Sequence, residues 1–268
     1  MSVVKRQVEV MGTIVSFDVR GGQARPDEVY VALARSAAVL RRADFVFSTW
    51  KPESPVSRLR RGEISVEQAP PEVADVLALC ALARDASGGW FDPWAASDGV
   101  DPTGLVKGWA AERALAELVG VPGLEGAMVN AGGDIASWGR PAPDREWRFG
   151  LRSPGHAATL VAVVEGVAAV ATSGTYERGP HLYSPRLHPS TGGAAGIAPV
   201  TSAAASATVL GPGLWMADAL ATALAVAGVA GLPTIEMVEG YEALVVDMHG
   251  EVTTTTHCPA EVLPPVAA

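Results

Sequence analysis

The sequence predicts an α+β fold in which antiparallel sheets pack against helices. Three observations lead there. Apolar–polar alternation marks strands that come in clusters, helical stretches fall between the clusters and not after every strand, and glycine turns join neighbouring strands. No repeat of fixed period and no long linker interrupts the chain, so residues 1–268 are expected to form a single domain.

In order, "QVEVMGTIVSFDVR" reads as a β-hairpin broken at Met11-Gly12-Thr13. Residues 27–44 have apolar positions at helical spacing, with Asp27 as the expected N-cap. "FVFSTWKPESPVSRLRRG" is Pro- and Ser-rich and reads as a loop. A second helix over 70–86 opens at Pro70-Pro71-Glu72 and closes before Ser87-Gly88-Gly89. A third follows Asp101, the expected N-cap, with Pro102 in its first position. "GAMVNAGGDIASWG" reads as strand, glycine turn and return strand. Strands continue through "EWRFGLRSP", "TLVAVVEG" and "VAAVATSG". A Gly-, Pro- and His-rich loop spans 174–200, and "TSAAASATVLG" returns as a strand. "LWMADALATALAV" is a helix of strong helix formers, and "EALVVDMHGEVTTTTHC" is a hairpin turning at His249-Gly250.

Composition sets limits. Hydrophobic residues make up 49% and charged ones 18%, which predicts a filled core and not disorder. A net charge of −9 argues against a nucleic-acid partner held through phosphates. Any phosphate ligand must then be met by local donors or a metal. Two cysteines are too few for a disulfide framework or a cysteine zinc site. The N-terminus lacks the apolar core of a secretory signal, and no uncharged apolar run spans a membrane; a cytoplasmic location is expected.

The chemistry-bearing residues are sparse. Asp218 and Thr222 lie one turn apart in the most apolar helix of the chain, so their side chains share a face. A buried carboxylate must be paired, hydrogen-bonded or on a metal. Carboxylate plus hydroxyl is a hard oxygen pair suited to Mg²⁺, while an arginine or backbone donors could equally satisfy Asp218. "DPTGLVKGWA" offers a helix N-terminus near Gly104 with Lys107 one turn in, either an anion site or an ordinary cap. The glycines of "NAGGD" permit close approach of a ligand or simply a tight hairpin. His181 and His188 share one loop with hydroxyls and glycines, a setting for a general base or for solvent-exposed histidines.

Together and in order, "MGT" (11–13), "FSTWKPESPVSRL" (47–59), "GGWFDP" (88–93), "VDPTGLVKGWA" (100–110), "VNAGGDI" (129–135), "ATSGTYERG" (171–179), "HPSTG" (188–192) and "ADALATAL" (217–224) resemble the FAD:protein FMN transferase family, also called ApbE proteins. The resemblance implies a T-fold-like α+β architecture and a Mg²⁺-dependent reaction. FMN passes from FAD to a threonine hydroxyl of an acceptor protein, and AMP is released. It places the metal ligands on Asp218, Thr222 and an oxygen of Gly104. FAD contacts fall on Met11, Trp50, Trp90, Phe91, Asp92, Asp101 and Lys107. The base is the histidine after "SGTYERG", His181 by position, with His188 the other assignment because the usual His-Ile-x-Asp-Pro-x-Thr-Gly block is altered here. A Mg²⁺-dependent FAD hydrolase giving FMN and AMP, or a flavin-binding module without turnover, would use the same residues.

Overall fold

The computed structural model describes residues 2–96, 98–174 and 203–264. Its largest element is an eight-stranded sheet, and every strand pair in it is antiparallel. The sheet begins with the hairpin β1 (Ser2–Val10) and β2 (Thr13–Gly21), then β3 (Gly126–Ala131) and β4 (Asp134–Gly139). It continues through β7 (Ala169–Ser173), β8 (Ser206–Gly211), β9 (Glu242–Val246) and β10 (Val252–Thr254). A second sheet holds β5 (Arg148–Ser153), β6 (His156–Glu165) and the short β11 (Glu261–Val262).

Alternation in the strands decides which layer each side chain joins. Along β7, Ala169 and Ala171 belong to the main core while Val170 belongs to a second cluster; β8 and β9 divide in the same way at Val209/Leu210 and Ala243/Leu244. The main core lies under the helices α1 (Pro26–Phe47), α4 (Thr103–Val119) and α5 (Leu214–Ala227). The second cluster joins the opposite face to the small sheet through Trp147, Phe149, Leu151 and Val164. The centre of the large sheet is therefore buried on both faces.

Three boundaries differ from the sequence expectation. Helix α1 starts at Pro26 with Arg25 in the capping position, so Asp27 lies in the first turn beside Glu28. Helix α4 starts at Thr103 with Pro102 in the capping position. Asp101 still meets the helix end, because its Oδ1 accepts from the Thr103 N–H at 3.0 Å and the Thr103 hydroxyl at 2.6 Å. The Pro- and Ser-rich stretch contains a six-residue helix, α2 (Pro55–Arg60), capped by the Ser54 side chain. Too short to show a 3.6-residue period, it left no signal beyond Ser-Pro at its start. Helix α3 (Pro71–Ala86) falls where expected.

From α5 through the short helix α6 (Leu232–Glu236), residues Leu214–Glu236 are long and apolar enough to cross a membrane, with mean hydropathy 1.6. Their most apolar stretch is 78% buried inside the fold, as for the core helix of a globular protein.

Candidate active site

The site is built where α4 and α5 cross. Gly108 allows that crossing: a Cβ there would lie 2.5 Å from the Leu214 carbonyl oxygen and 2.9 Å from the Asp218 Cβ. Glu112, one turn further along α4, accepts hydrogen bonds from the Leu214 and Trp215 N–H groups at 3.0 and 3.2 Å. A carboxylate from one helix thus caps the positive end of the other and fixes its register.

That register brings Asp218, only 3% exposed, against the backbone of α4. Its Oδ2 accepts from the Gly108 N–H at 2.8 Å, and its Oδ1 lies 3.6 Å from the Lys107 ammonium. Lys107 is also paired with Asp134, whose side chain is almost fully buried at the start of β4. The other oxygen of Asp134 accepts from the Thr172 N–H on β7 at 3.0 Å. One turn after Asp218, the Thr222 hydroxyl lies 3.4 Å from the Ser173 hydroxyl. Gly104 faces this group, since a Cβ on it would stand 3.2 Å from both the Thr222 oxygen and the Phe91 ring.

Asp218, Thr222, Gly104, Lys107 and Phe91 therefore lie together where α4 and α5 cross. The donors beside Gly104 are a carboxylate, a hydroxyl and peptide oxygens. Among the described residues no group of three or more His, Cys, Asp or Glu side chains stands ready to hold a metal ion. An all-oxygen set of this kind fits a hard divalent ion such as Mg²⁺.

The N-terminus of α4 links this group to a cleft of about 340 Å³ lined by Thr49, Trp50, Ser57, Arg60, Arg61, Asp98 and Asp101. Trp50 is 93% exposed, an unusual exposure for a large apolar ring. In the same cleft Arg60 donates to the Asp98 carbonyl oxygen at 3.0 Å, and its side chain is only 13% exposed. Arg60 and Arg61 carry the positive charge of this cleft, and each meets a carboxylate, Arg60 that of Asp98 at 3.7 Å and Arg61 that of Glu63 at 2.6 Å.

Other predicted contacts occupy different surroundings. Asp92 accepts from the Trp94 N–H at 2.9 Å and caps a single 3₁₀ turn. Trp90 is half-buried in a niche with Ser87, Ala223, Leu224, Ala227 and Ile235, against the C-terminal half of α5. Met11 sits at the tip of the β1–β2 hairpin with φ 53°, the one positive φ of a non-glycine residue among those described. The Gly132-Gly133 turn abuts that hairpin, because a Cβ on Gly132 would meet the Thr13 hydroxyl at 2.6 Å. His181 and His188 lie outside the described residues.

Sequence reasoning missed Asp134, Glu112, Ser173 and the two arginines. For Asp134 a signal exists, the single charge at the start of an otherwise uncharged strand, beside two glycines that account for the turn by themselves. Glu112 left none, since a glutamate in a helix is ordinarily solvated.

Comparison with known proteins shows what the chain is similar to. The model of the ApbE family matches residues 11–98 and 95–245. A curated FAD:protein FMN transferase of Vibrio cholerae serotype O1 is 33% identical over 135 residues, which is 48% of this chain and 39% of that protein. The match thus spans well under two thirds of that relative's length. Among solved structures, a mutant of the flavin transferase ApbE from Vibrio cholerae superposes with a TM-score of 0.77 at 18% identity, covering 96% of this chain and 98% of that one. The apo flavinyl transferase ApbE of Pseudomonas stutzeri gives 0.75 at 22% identity, covering 95% of each chain. The ApbE protein of Thermotoga maritima gives 0.75 at 22%, covering 95% and 97%. At these identities the structures speak for the fold. The family match runs through the helices that carry Gly104, Lys107, Asp218 and Thr222, and on that ground the chain belongs to the ApbE family.

Proposed function

We propose that this chain, acting as a single domain, transfers FMN from FAD to a threonine hydroxyl of an acceptor protein and releases AMP. The observation that carries the reading is the convergence of Asp218, Thr222 and Gly104 at the N-terminal end of α4, beside Lys107. The related Vibrio cholerae protein, named an FAD:protein FMN transferase, supports the reaction class.

Asp218, Thr222 and the Gly104 backbone would hold Mg²⁺. When bound, that ion would supply charge neutralisation at the pyrophosphate. Around it the chain's own residues bind and orient. Trp50 offers an exposed indole face to a flat ring, and Arg60, Arg61 and Lys107 offer positive charge to phosphates. Phe91, 4% exposed, closes the wall beside Gly104 and keeps water from that side. The threonine oxygen attacks the FMN phosphorus, its proton passes to a base, and AMP departs with the bridging oxygen. His181 is assigned as the base by its place in the family pattern, with His188 the alternative.

The test is direct. The protein is incubated with FAD and Mg²⁺, with and without a threonine-containing acceptor peptide, and AMP and peptide-bound flavin are followed. Equal amounts of AMP and flavinylated peptide are expected. AMP released at the same rate without peptide would make the protein a hydrolase. Bound FAD with no AMP in either case would make it a binding module.

A further inference from the structure

Helices α4 and α5 meet antiparallel, and three contacts are spaced evenly along their crossing. Gly104 faces Thr222, the Gly108 N–H donates to Asp218 at 2.8 Å, and Glu112 accepts from the Leu214 N–H at 3.0 Å. Each step is four residues forward on α4 and four residues back on α5, so the contacts share one face of each helix. Helix α5 does not hold its own beginning. Its capping residue is Gly213, which has no side chain to meet the first N–H groups. One oxygen of Glu112 meets two of them, at 3.0 and 3.2 Å, and the Tyr241 hydroxyl donates to the Gly213 carbonyl at 3.2 Å.

We propose that Glu112 is a positioning residue of the cation site. By holding the start of α5 it sets how far that helix slides along α4, and so where Asp218 and Thr222 stand against the turn that carries Gly104. The inference rests on the proposed metal site at Asp218, Thr222 and Gly104. Glu112 lies eight residues from Gly104, about 12 Å along the helix axis, and is too distant to be a ligand itself. Its influence passes through α5. Mg²⁺ demands oxygen distances of about 2.0–2.1 Å, so a small slide of one helix takes an oxygen out of range.

The experiment measures Mn²⁺ binding to the whole chain without FAD, by electron paramagnetic resonance of the free ion, where circular dichroism shows each variant folded. Mn²⁺ stands in for Mg²⁺ because both prefer oxygen ligands. Glu112→Ala is expected to weaken binding about tenfold, the lower end of what removing a ligand's supporting partner costs. Glu112→Gln keeps an oxygen for both N–H groups and is expected to stay within about threefold of the unaltered protein. Ser36→Ala controls for loosening in general. Its hydroxyl donates to the Ala32 and Ala114 carbonyls and so bonds α1 to α4, not to α5. That variant is expected to lower the urea midpoint and leave Mn²⁺ affinity unchanged. A lower urea midpoint with unchanged Mn²⁺ affinity in Glu112→Ala would overturn the proposal and leave Glu112 a cap for stability alone. Equal weakening in Ser36→Ala would overturn it as well, and so would a loss in Glu112→Gln equal to that in Glu112→Ala, since the cation would then answer to charge and not to where α5 is held. Failure of the unaltered protein to bind Mn²⁺ at millimolar concentration would instead overturn the metal site itself. If Glu112→Ala does not fold, Glu112→Asp replaces it. Its carboxylate is withdrawn by one methylene, and the same loss of affinity is expected, with unchanged affinity again overturning the proposal.

Discussion

Asp218 receives the Gly108 N–H at 2.8 Å, the N–H that in a regular helix would point to the Gly104 carbonyl four residues earlier. A side chain of α5 therefore draws on the backbone hydrogen bonding of α4 at the turn that carries Gly104. The carboxylate that stands one turn from Thr222 thus also secures the helix that brings Gly104 to it.

Asp218→Ala is accordingly expected to abolish Mg²⁺-dependent AMP release from FAD, by a factor of at least about 10³, in line with loss of a principal electrostatic group. The protein should remain folded, because Lys107 retains Asp134 and the apolar face of α5 is untouched. Loss of α-helical circular dichroism in this variant would mark Asp218 as a purely structural acid.

Gly108→Ala tests the helix crossing. Alanine gains roughly 1 kcal/mol of helix propensity over glycine. The added methyl would stand 2.5 Å from the Leu214 carbonyl oxygen, which is backbone and cannot swing aside. Steric cost should win, with a net destabilisation of about 1–3 kcal/mol in urea unfolding. A more stable variant would show that the two helices have room to part.

Two tryptophans should separate function from packing. Trp50→Ala, at a position 93% exposed, should change unfolding free energy by less than about 0.5 kcal/mol while raising KM for FAD. Trp90→Ala, in its niche against α5, should cost about 2 kcal/mol or more of stability. An unchanged KM in Trp50→Ala would remove the indole from the flavin site.

Alkaline pH should weaken the fold. Burial pushes the Cys80 thiol up to about 12 from 9.0, and Asp101 adds to the shift. Burial likewise raises the Tyr241 phenol to about 12 from 10.0, and Glu112 adds to the shift. The unfolded chain releases these protons first, so it binds fewer of them between about pH 9 and pH 12. Stability then falls as pH rises through that window, by up to roughly 1.4 kcal/mol per pH unit for each group. Urea midpoints at pH 8, 9.5 and 10.5 would show it, with a shallower fall in Cys80→Ala. A midpoint that stays level would contradict the raised values.

Local signals in the sequence determined most of the strands, the long helices, the antiparallel class and the shared helix face of Asp218 and Thr222, because periods of 2 and 3.6 are written along the chain itself. The glycine turns at 12 and 132–133 were legible for the same reason, since positive φ selects residue type. Only the tertiary structure decided which partners those residues meet. Lys107, Asp134 and Asp218 come from α4, β4 and α5, and Glu112 caps a helix 102 residues further on. Electrostatic pairing and helix capping act through space, and no pattern of neighbouring residues records a contact between segments so far apart along the chain.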